Sequence, residues 1–375
     1  MFLNKLRIMN LWKNGVVELP FDKRVTVLTG INGSGKSSIL NIIYDSLDLN
    51  QMNISTSKNR LWASELKIEG GIRLQTIILP PVPESKQNFI QSLIRSNEET
   101  NSAVGLYSER LLTDIQKAYE DNTNKQHVTF TNRNLEGQGY IYSLAFPKGF
   151  TELKQDEINN RLRERPNAFL FQEDRRVMHN LENSNMDLNL EFWSTYSTSI
   201  DSRFFYIRDA MQIRESQLDA RRSRLLDEYE ACSGLMKLKE DPQYMAILRE
   251  RAKIRELFDL LNSYFIESGK ELVKDPDDNK ITLKPIDDEK AISWHLLSRG
   301  EKTLIYLFFS IFLYKDKVSL FLLDEPDVSL HVIWQERLLN DLTSLAPEHQ
   351  FIIATHSPSL VMKGWMDNCK TIKVS

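Results

Sequence analysis

The chain has 375 residues, enough for a large core or two to three domains. Hydrophobic residues make up 41% and charged residues 27%, the balance of a soluble globular chain rather than a membrane or disordered one. The net charge of −4 argues against a surface coated for nucleic acid, while leaving room for one local basic groove.

From the start, Met1–Leu6 lacks the apolar core of a signal peptide, and Cys232 and Cys369 stand isolated, without metal spacing. The longest apolar runs, Ile305–Leu313 and Val318–Leu323, are too short to cross a bilayer. A cytoplasmic protein with no membrane partner is expected. Two strands are expected at Phe2–Leu11 and Val25–Leu28, with Gly15–Lys23 between them. The second strand runs into Gly30-xxxx-Gly35-Lys36-Ser37, the spacing of a Walker A phosphate loop. Glycines let such a backbone close around phosphate oxygens, and the N–H groups of the following helix face the anion. The nucleotide-binding set is Gly30, Asn32, Gly33, Ser34, Gly35, Lys36, Ser37 and Ser38, with Lys36 reaching the terminal phosphates and the Ser37 hydroxyl binding Mg²⁺.

Helical spacing continues through Ile39–Leu47, and Gln51–Asn59 reads as a loop. Leu66–Leu79 reads as a hairpin about Gly70-Gly71, stopped by Pro80–Pro83. Phe89–Glu120 has mostly helical spacing. His127–Thr131, Gly139–Phe146 and the buried run Ala168–Gln172 are read as strands, the last followed by the charged turn Glu173–Arg176. Phe204, Met211, Leu218, Leu225 and Cys232 repeat every seven residues, as do Ile247, Ile254 and Leu261. Two helices folded back on each other are expected. Charged seam positions (Arg214, Arg221, Glu228) speak against a long free coiled coil. An arm projecting at most about 45 Å and a subdomain packed on the body remain equally open. Arg203, Arg208, Arg214, Arg221, Arg222 and Arg224 crowd the first of these helices, so nucleic acid stays an open partner, although a salt-bridged solvated face is the commoner meaning. Leu272–Leu283 reads as short strands about the turn Asp275–Asn279.

The last third carries more chemistry. Leu297-Ser298-Arg299-Gly300-Glu301 precedes a long helix, and a serine and glycine there form either an ordinary cap or an anion site. Val318–Leu323 is an apolar run typical of a buried parallel strand, and it ends in Asp324-Glu325. Asp324 is expected in the Mg²⁺ shell and Glu325 beside the attacking water. Phe351–Thr355 is a similar strand ending in His356, 32 positions after Asp324, where it would meet the terminal phosphate. A closing strand is expected at Lys370–Val374.

These motifs in this order resemble the ABC-type ATPases, over roughly residues 1–50 and 290–375. The 262 residues between Lys36 and Ser298 make the match closest to the SMC, RecF and OLD-like branch, in which a large insertion splits the head. The runs EPDVSLHVIWQERLLNDL and QFIIATHSPSLV are similar to prokaryotic anti-phage ATPases of the OLD, Septu, retron-linked and PARIS kinds. The resemblance implies an α/β fold: an ABC-type P-loop head with a mixed sheet, an antiparallel β-subdomain and a helical-hairpin insertion. The expected divisions are 1–193, 194–267 and 268–375. Ser298, Gly300 and Glu301 would act in trans as the signature, Asp327 in the D-loop and His356 as the switch histidine. Gln172 would be the Q-loop glutamine at the metal, with Gln75 a poorer fit. The cofactors would be ATP and Mg²⁺, and the active form a head-to-tail homodimer or higher oligomer. The expected function is an ATPase that senses or scaffolds in anti-phage defence and controls a separate nuclease or toxin. The alternative is a RecF- or SMC-like DNA-maintenance ATPase. A transporter subunit (Trp12 standing where such proteins keep an adenine-stacking aromatic) and a nucleotide-locked scaffold are weaker readings. No second catalytic centre is found in the motifs, and with about twenty residues after His356 a C-terminal TOPRIM nuclease domain is expected to be missing.

Overall fold

Three apolar runs ending in Gly30, Asp324 and His356 form neighbouring strands of one sheet. The computed structural model describes residues 2–9, 16–47, 62–70, 73–78, 127–133, 139–145, 167–172, 200–231, 238–275, 280–288 and 290–372. The expected helix at 89–120, the loop 51–59, the Pro80–Pro83 stop, the turn 173–176, most of the turn 275–279, and Trp12 and Cys232 lie outside them.

A five-stranded sheet runs in the order β13 (Cys369–Thr371), β3 (Val25–Thr29), β12 (Gln350–Ala354), β11 (Leu320–Asp324), β8 (Ala168–Gln172), with every pairing parallel. A six-stranded antiparallel sheet runs β2 (Val16–Pro20), β1 (Leu3–Met9), β4 (Trp62–Ile68), β5 (Arg73–Ile78), β7 (Gly139–Ala145), β6 (His127–Arg133). The fold is thus the expected α/β phosphate-loop head, with its parallel and antiparallel pairings divided between two sheets. One strand was not anticipated. Val16–Pro20 falls within Gly15–Lys23, expected as the connection between two strands. Pro20 closes β2 at the sheet edge, where a missing N–H is tolerated.

Alternating residues of the parallel strands serve two cores. Phe169, Phe171, Phe321, Leu323, Phe351 and Ile353 join one, with helices α2 (Ile200–Ala231), α3 (Pro242–Phe265) and α4 (Arg299–Tyr314). Leu170, Leu320, Leu322 and Ile352 join the other, with α1 (Lys36–Leu47) and the antiparallel sheet. Both faces are covered, which is why these strands read as unbroken apolar runs rather than alternating ones. Helix α1 lies between the two sheets and buries nine of its twelve residues.

Helices α2 and α3 settle the open question of the arm in part. Phe204, Met211 and Leu218 on α2, and Ile247, Ile254 and Leu261 on α3, are buried against the α4 side. Beyond Leu218 the residues of α2 are half-buried or exposed. The base of the pair is therefore packed on the head. Asp241 caps α3, accepting from the N–H groups of Gln243 and Tyr244. A hairpin, β9 (Lys270–Lys274) and β10 (Ile281–Pro285), leads from α3 to α4, and α5 (Val332–Leu345) joins β11 to β12.

Candidate functional site

The parallel register places Asp324 level with Ala354 on one side and Gln172 on the other, and Ala354 level with Leu28. The phosphate loop, Asp324-Glu325, His356 and Gln172 therefore emerge together at the carboxyl edge of the sheet, where ligands of open α/β sheets bind.

The loop between β3 and α1 bends through Gly30 (φ +145°) and Gly33 (φ +78°). A Cβ on Gly30 would stand 2.8 Å from the Ile372 carbonyl oxygen, so the loop is held against the β13 segment at a distance only glycine allows. Helix α1 carries no acid in its first turn, which leaves its positive end uncompensated within the helix. Lys36 is almost fully buried. Its Nζ donates to the carbonyls of Gly30 (3.1 Å) and Ile31 (3.3 Å) and lies 2.6 Å from His356 Nε2. An ammonium has only donors, so Nε2 accepts. Burial holds the Lys36 pKa below its ordinary value, partly offset by Glu325 and Asp324.

Ser37 Oγ donates to Asp324 Oδ1 at 3.0 Å. Burial pushes the Asp324 pKa up to about 6; Glu325 adds to the rise, while the Ser37 bond and Lys36 oppose it. A hydroxyl and a desolvated carboxylate side by side are hard oxygen donors, and a divalent cation would offset the negative charge that burial penalises at Asp324. The residues present fit Mg²⁺.

Glu325 is the one non-glycine residue with positive φ (+49°) among the described residues. Such backbone costs about 1–3 kcal/mol and persists only where the surroundings fix it. Here the Glu325 N–H donates to the Ala354 carbonyl at 2.8 Å, so the adjacent strand holds the turn. Glu325 Oε1 lies 3.6 Å from His356 Nε2. Gln172 Nε2 donates to Asn41 Oδ1 on α1 (2.7 Å), and its carbonyl accepts from Arg203 (2.7 Å).

Ser298 and Glu301 form a capping box at the start of α4: Ser298 Oγ accepts from the Glu301 N–H, and Glu301 Oε2 from the Ser298 N–H. Glu301 is 2% exposed and also binds Lys270 at 2.6 Å, so its carboxylate is spent within the chain, whereas Ser298 stays exposed. The Ser298-x-x-Glu301 spacing carried that signal. Gly300 is buried, and a Cβ there would meet the Ser329 carbonyl oxygen at 2.6 Å, which packs the start of α4 onto the loop after β11. Asp327, in that loop, is buried and accepts from Thr355 Oγ1 at 2.7 Å.

The arginine row expected on α2 is partly consumed. Arg203 is 5% exposed; Arg208 pairs with Asp209 and lies over Phe205 and Trp294; Arg214 pairs with Glu250. Arg221 and Arg224 line a groove of about 800 Å³ between α2 and α3, away from the phosphate loop. Among the described residues no cluster of His, Cys, Asp and Glu could hold a metal ion by itself, and no helix is long and apolar enough to cross a membrane. Asn41, Gln335, Thr355 and Ser357 were not singled out in the sequence, because each is an ordinary polar residue within a helix or at a strand end.

Fold and site edge together define an α/β phosphate-loop ATPase. The chain belongs to the AAA ATPase domain family, matching its sequence profile (AAA_15) over residues 1–361. It is 26% identical over 373 residues to the Retron Vc95 probable ATPase of Vibrio cholerae serotype O1 biovar El Tor, covering 94% of this chain and 69% of that one. It is 24% identical to the Retron Ec83 probable ATPase of Escherichia coli, covering 92% and 66%. Over 35% of this chain and 21% of the other it is 26% identical to Endonuclease GajA of Bacillus cereus (strain VD045). The chain thus spans about two thirds of the length of the retron relatives, and the resemblance to retron-linked ATPases is borne out. Among solved structures it is similar to an SMC head bound to the C-winged helix domain of ScpA (TM-score 0.45, 17% identity, 99% of this chain and 94% of that one). It is also similar to the SMC head domain from Thermotoga maritima (TM-score 0.40, 16% identity, 97% and 92%).

Proposed function

We propose that this chain is an ATPase that binds ATP with Mg²⁺ at the sheet edge and closes head-to-tail on a second copy. The observation that carries the reading is the convergence of Lys36, Ser37, Asp324, Glu325 and His356 at the ends of three neighbouring strands, where Lys36 bonds His356, Ser37 bonds Asp324, and His356 lies 3.6 Å from Glu325. Lys36 would exchange its two carbonyl partners for phosphate oxygens. Ser37 and Asp324 would hold Mg²⁺, which would supply charge neutralisation at the phosphates, and Gln172 stands level with Asp324 on β8. Glu325 would take a proton from the water that attacks the terminal phosphorus, giving ADP and inorganic phosphate. His356 would contact the terminal phosphate.

Ser298 and Gly300 would complete the partner's site. Apolar residues beside the motifs remain exposed: Ile31 at 73%, Leu296 at 77% and Val328 at 44%. A surface of that kind is suited to burial against a second copy. Glu301 would act through Ser298, by fixing the cap. Residues 194–267 would be an insertion between head segments 1–193 and 268–375, and motion at the heads would pass through its packed base.

The retron relatives support a role in prokaryotic defence, with this chain as the sensor or scaffold that controls a separate nuclease or toxin. Partial consumption of the arginine row disfavours direct action on DNA. The test is steady-state ATP hydrolysis by the full chain, with and without duplex DNA ends. Mg²⁺-dependent turnover that Ser298→Arg abolishes, and that DNA leaves unchanged, is expected. Turnover that survives Ser298→Arg contradicts the shared site, and stimulation by DNA falling steeply with salt contradicts the division of labour.

A further inference from the structure

Helix α5 carries one polar side chain that touches both loops of the proposed catalytic edge. Gln335 Nε2 donates to two carbonyls of the loop after β11, those of Asp327 (3.0 Å) and Leu330 (2.9 Å). Its Oε1 accepts from Ser357 Oγ at 2.6 Å, in the loop that carries His356. The amide has two hydrogens and an oxygen, and all are used. The reverse orientation would turn the oxygen onto two carbonyls, so the local chemistry fixes its sense. A second bridge runs beside it. Thr355 Oγ1 donates to Asp327 Oδ1 (2.7 Å) and accepts from the Ser357 N–H (2.9 Å). The same β11 loop carries Ser329, whose carbonyl oxygen abuts Gly300 at the start of α4.

We infer that Gln335 is a positioning residue for ATP hydrolysis. It sets His356 relative to the loop Asp327–Leu330, and through that loop ties the histidine of one nucleotide site to the Ser298–Gly300 segment offered to the other. This rests on the ATPase reading given above. Gln335 touches neither Lys36 nor Ser37 by any bond described, so its loss should leave nucleotide capture intact and impair turnover.

The experiment uses the full chain and the variants Gln335→Met, which keeps the length without the amide, and Ser357→Ala, which removes one arm of the bridge. Binding of a fluorescent ATP analogue, KM and kcat are measured with ATP and Mg²⁺. For Gln335→Met the expected result is a kcat about 10- to 100-fold lower, with analogue affinity and KM within about threefold of the parent. Ser357→Ala should lower kcat about fivefold, and the double variant should be no slower than Gln335→Met alone, since both remove the same bridge. Unchanged kcat in Gln335→Met, or a fall in affinity matching the fall in kcat, overturns the inference. Should Gln335→Met fail to fold, unchanged kcat in Ser357→Ala overturns it. A parent chain that hydrolyses no ATP overturns the ATPase reading and this inference together. An active parent with an unaffected Gln335→Met overturns this inference alone.

Discussion

Lys36 and His356, 320 positions apart in the chain, meet at 2.6 Å. The lysine opens α1 after β3, and the histidine follows the neighbouring strand β12, so parallel pairing of those two strands makes the contact. The lysine also donates to the carbonyls of its own loop, which holds its charge near the place that phosphate would take.

Loss of that charge should be felt first in binding. Lys36→Ala removes charge-assisted hydrogen bonds of about 1.5–3 kcal/mol each. Affinity for a fluorescent ATP analogue should therefore fall by about 10- to 100-fold or more. Fluorescence titration checks this, and an affinity within about threefold of the parent would mean that the loop holds phosphate by its backbone alone.

Asp324 predicts a pH dependence whose sign is fixed. Its carboxyl is raised from 3.8 to about 6, chiefly by burial, so the folded chain holds this proton more tightly than the unfolded chain does. Its contribution to stability is then fully present below the unfolded value near 4 and is lost as pH rises through about 6. Asp324→Asn should raise the melting temperature of the nucleotide-free protein at pH 7.5, and the gain should shrink as pH falls from 6 to 4. Mg²⁺ needs the carboxylate, so in the parent chain apparent Mg²⁺ affinity should fall about tenfold per pH unit below 6. Thermal melts and Mg²⁺ titrations across pH 4–8 test both statements, and a gain independent of pH would refute the burial account.

Gly300 offers a test of packing at the signature segment. An added methyl would sit 2.6 Å from the Ser329 carbonyl oxygen, a backbone atom that cannot swing aside. Gly300→Ala should destabilise the chain by about 1–3 kcal/mol. Urea unfolding should show a lower midpoint at constant m. Since the displaced loop includes Asp327, turnover should fall as well. An unchanged midpoint would show that the two segments are not held as closely as described.

Much of this site was legible because its chemistry uses single residues at fixed short spacings, each at the end of an apolar run. Val25–Thr29, Leu320–Asp324 and Gln350–Ala354 are buried on both faces, so their strands and the residues after them stood out. What stayed hidden has physical causes. Arg203 read as one of a basic surface row, yet it is buried and donates to the Gln172 carbonyl; helical periodicity does not tell which charged residue finds a partner inside. Gln335 was not singled out, because its place in a helix does not tell that its amide reaches both the loop just before α5 and the loop after β12. Glu301 was taken for a group facing a partner although its spacing from Ser298 is that of a capping box. β2 was hidden by Pro20, which signals a break in a chain and a permitted end at a sheet edge alike.

The central claim is a nucleotide site completed by a second copy, with Glu325 as the base. Glu325→Gln keeps the side chain's size and removes its basicity, which should lower turnover by about 10²- to 10⁴-fold while ATP stays bound. The most direct measurement is the solution mass of Glu325→Gln by light scattering, with ATP and Mg²⁺ and without them, beside the double variant Glu325→Gln, Ser298→Arg. The account predicts a mass that doubles with ATP and Mg²⁺ in the single variant and stays unchanged in the double variant. A single variant that binds ATP with no change in mass, or that hydrolyses it at the parental rate, would contradict the account.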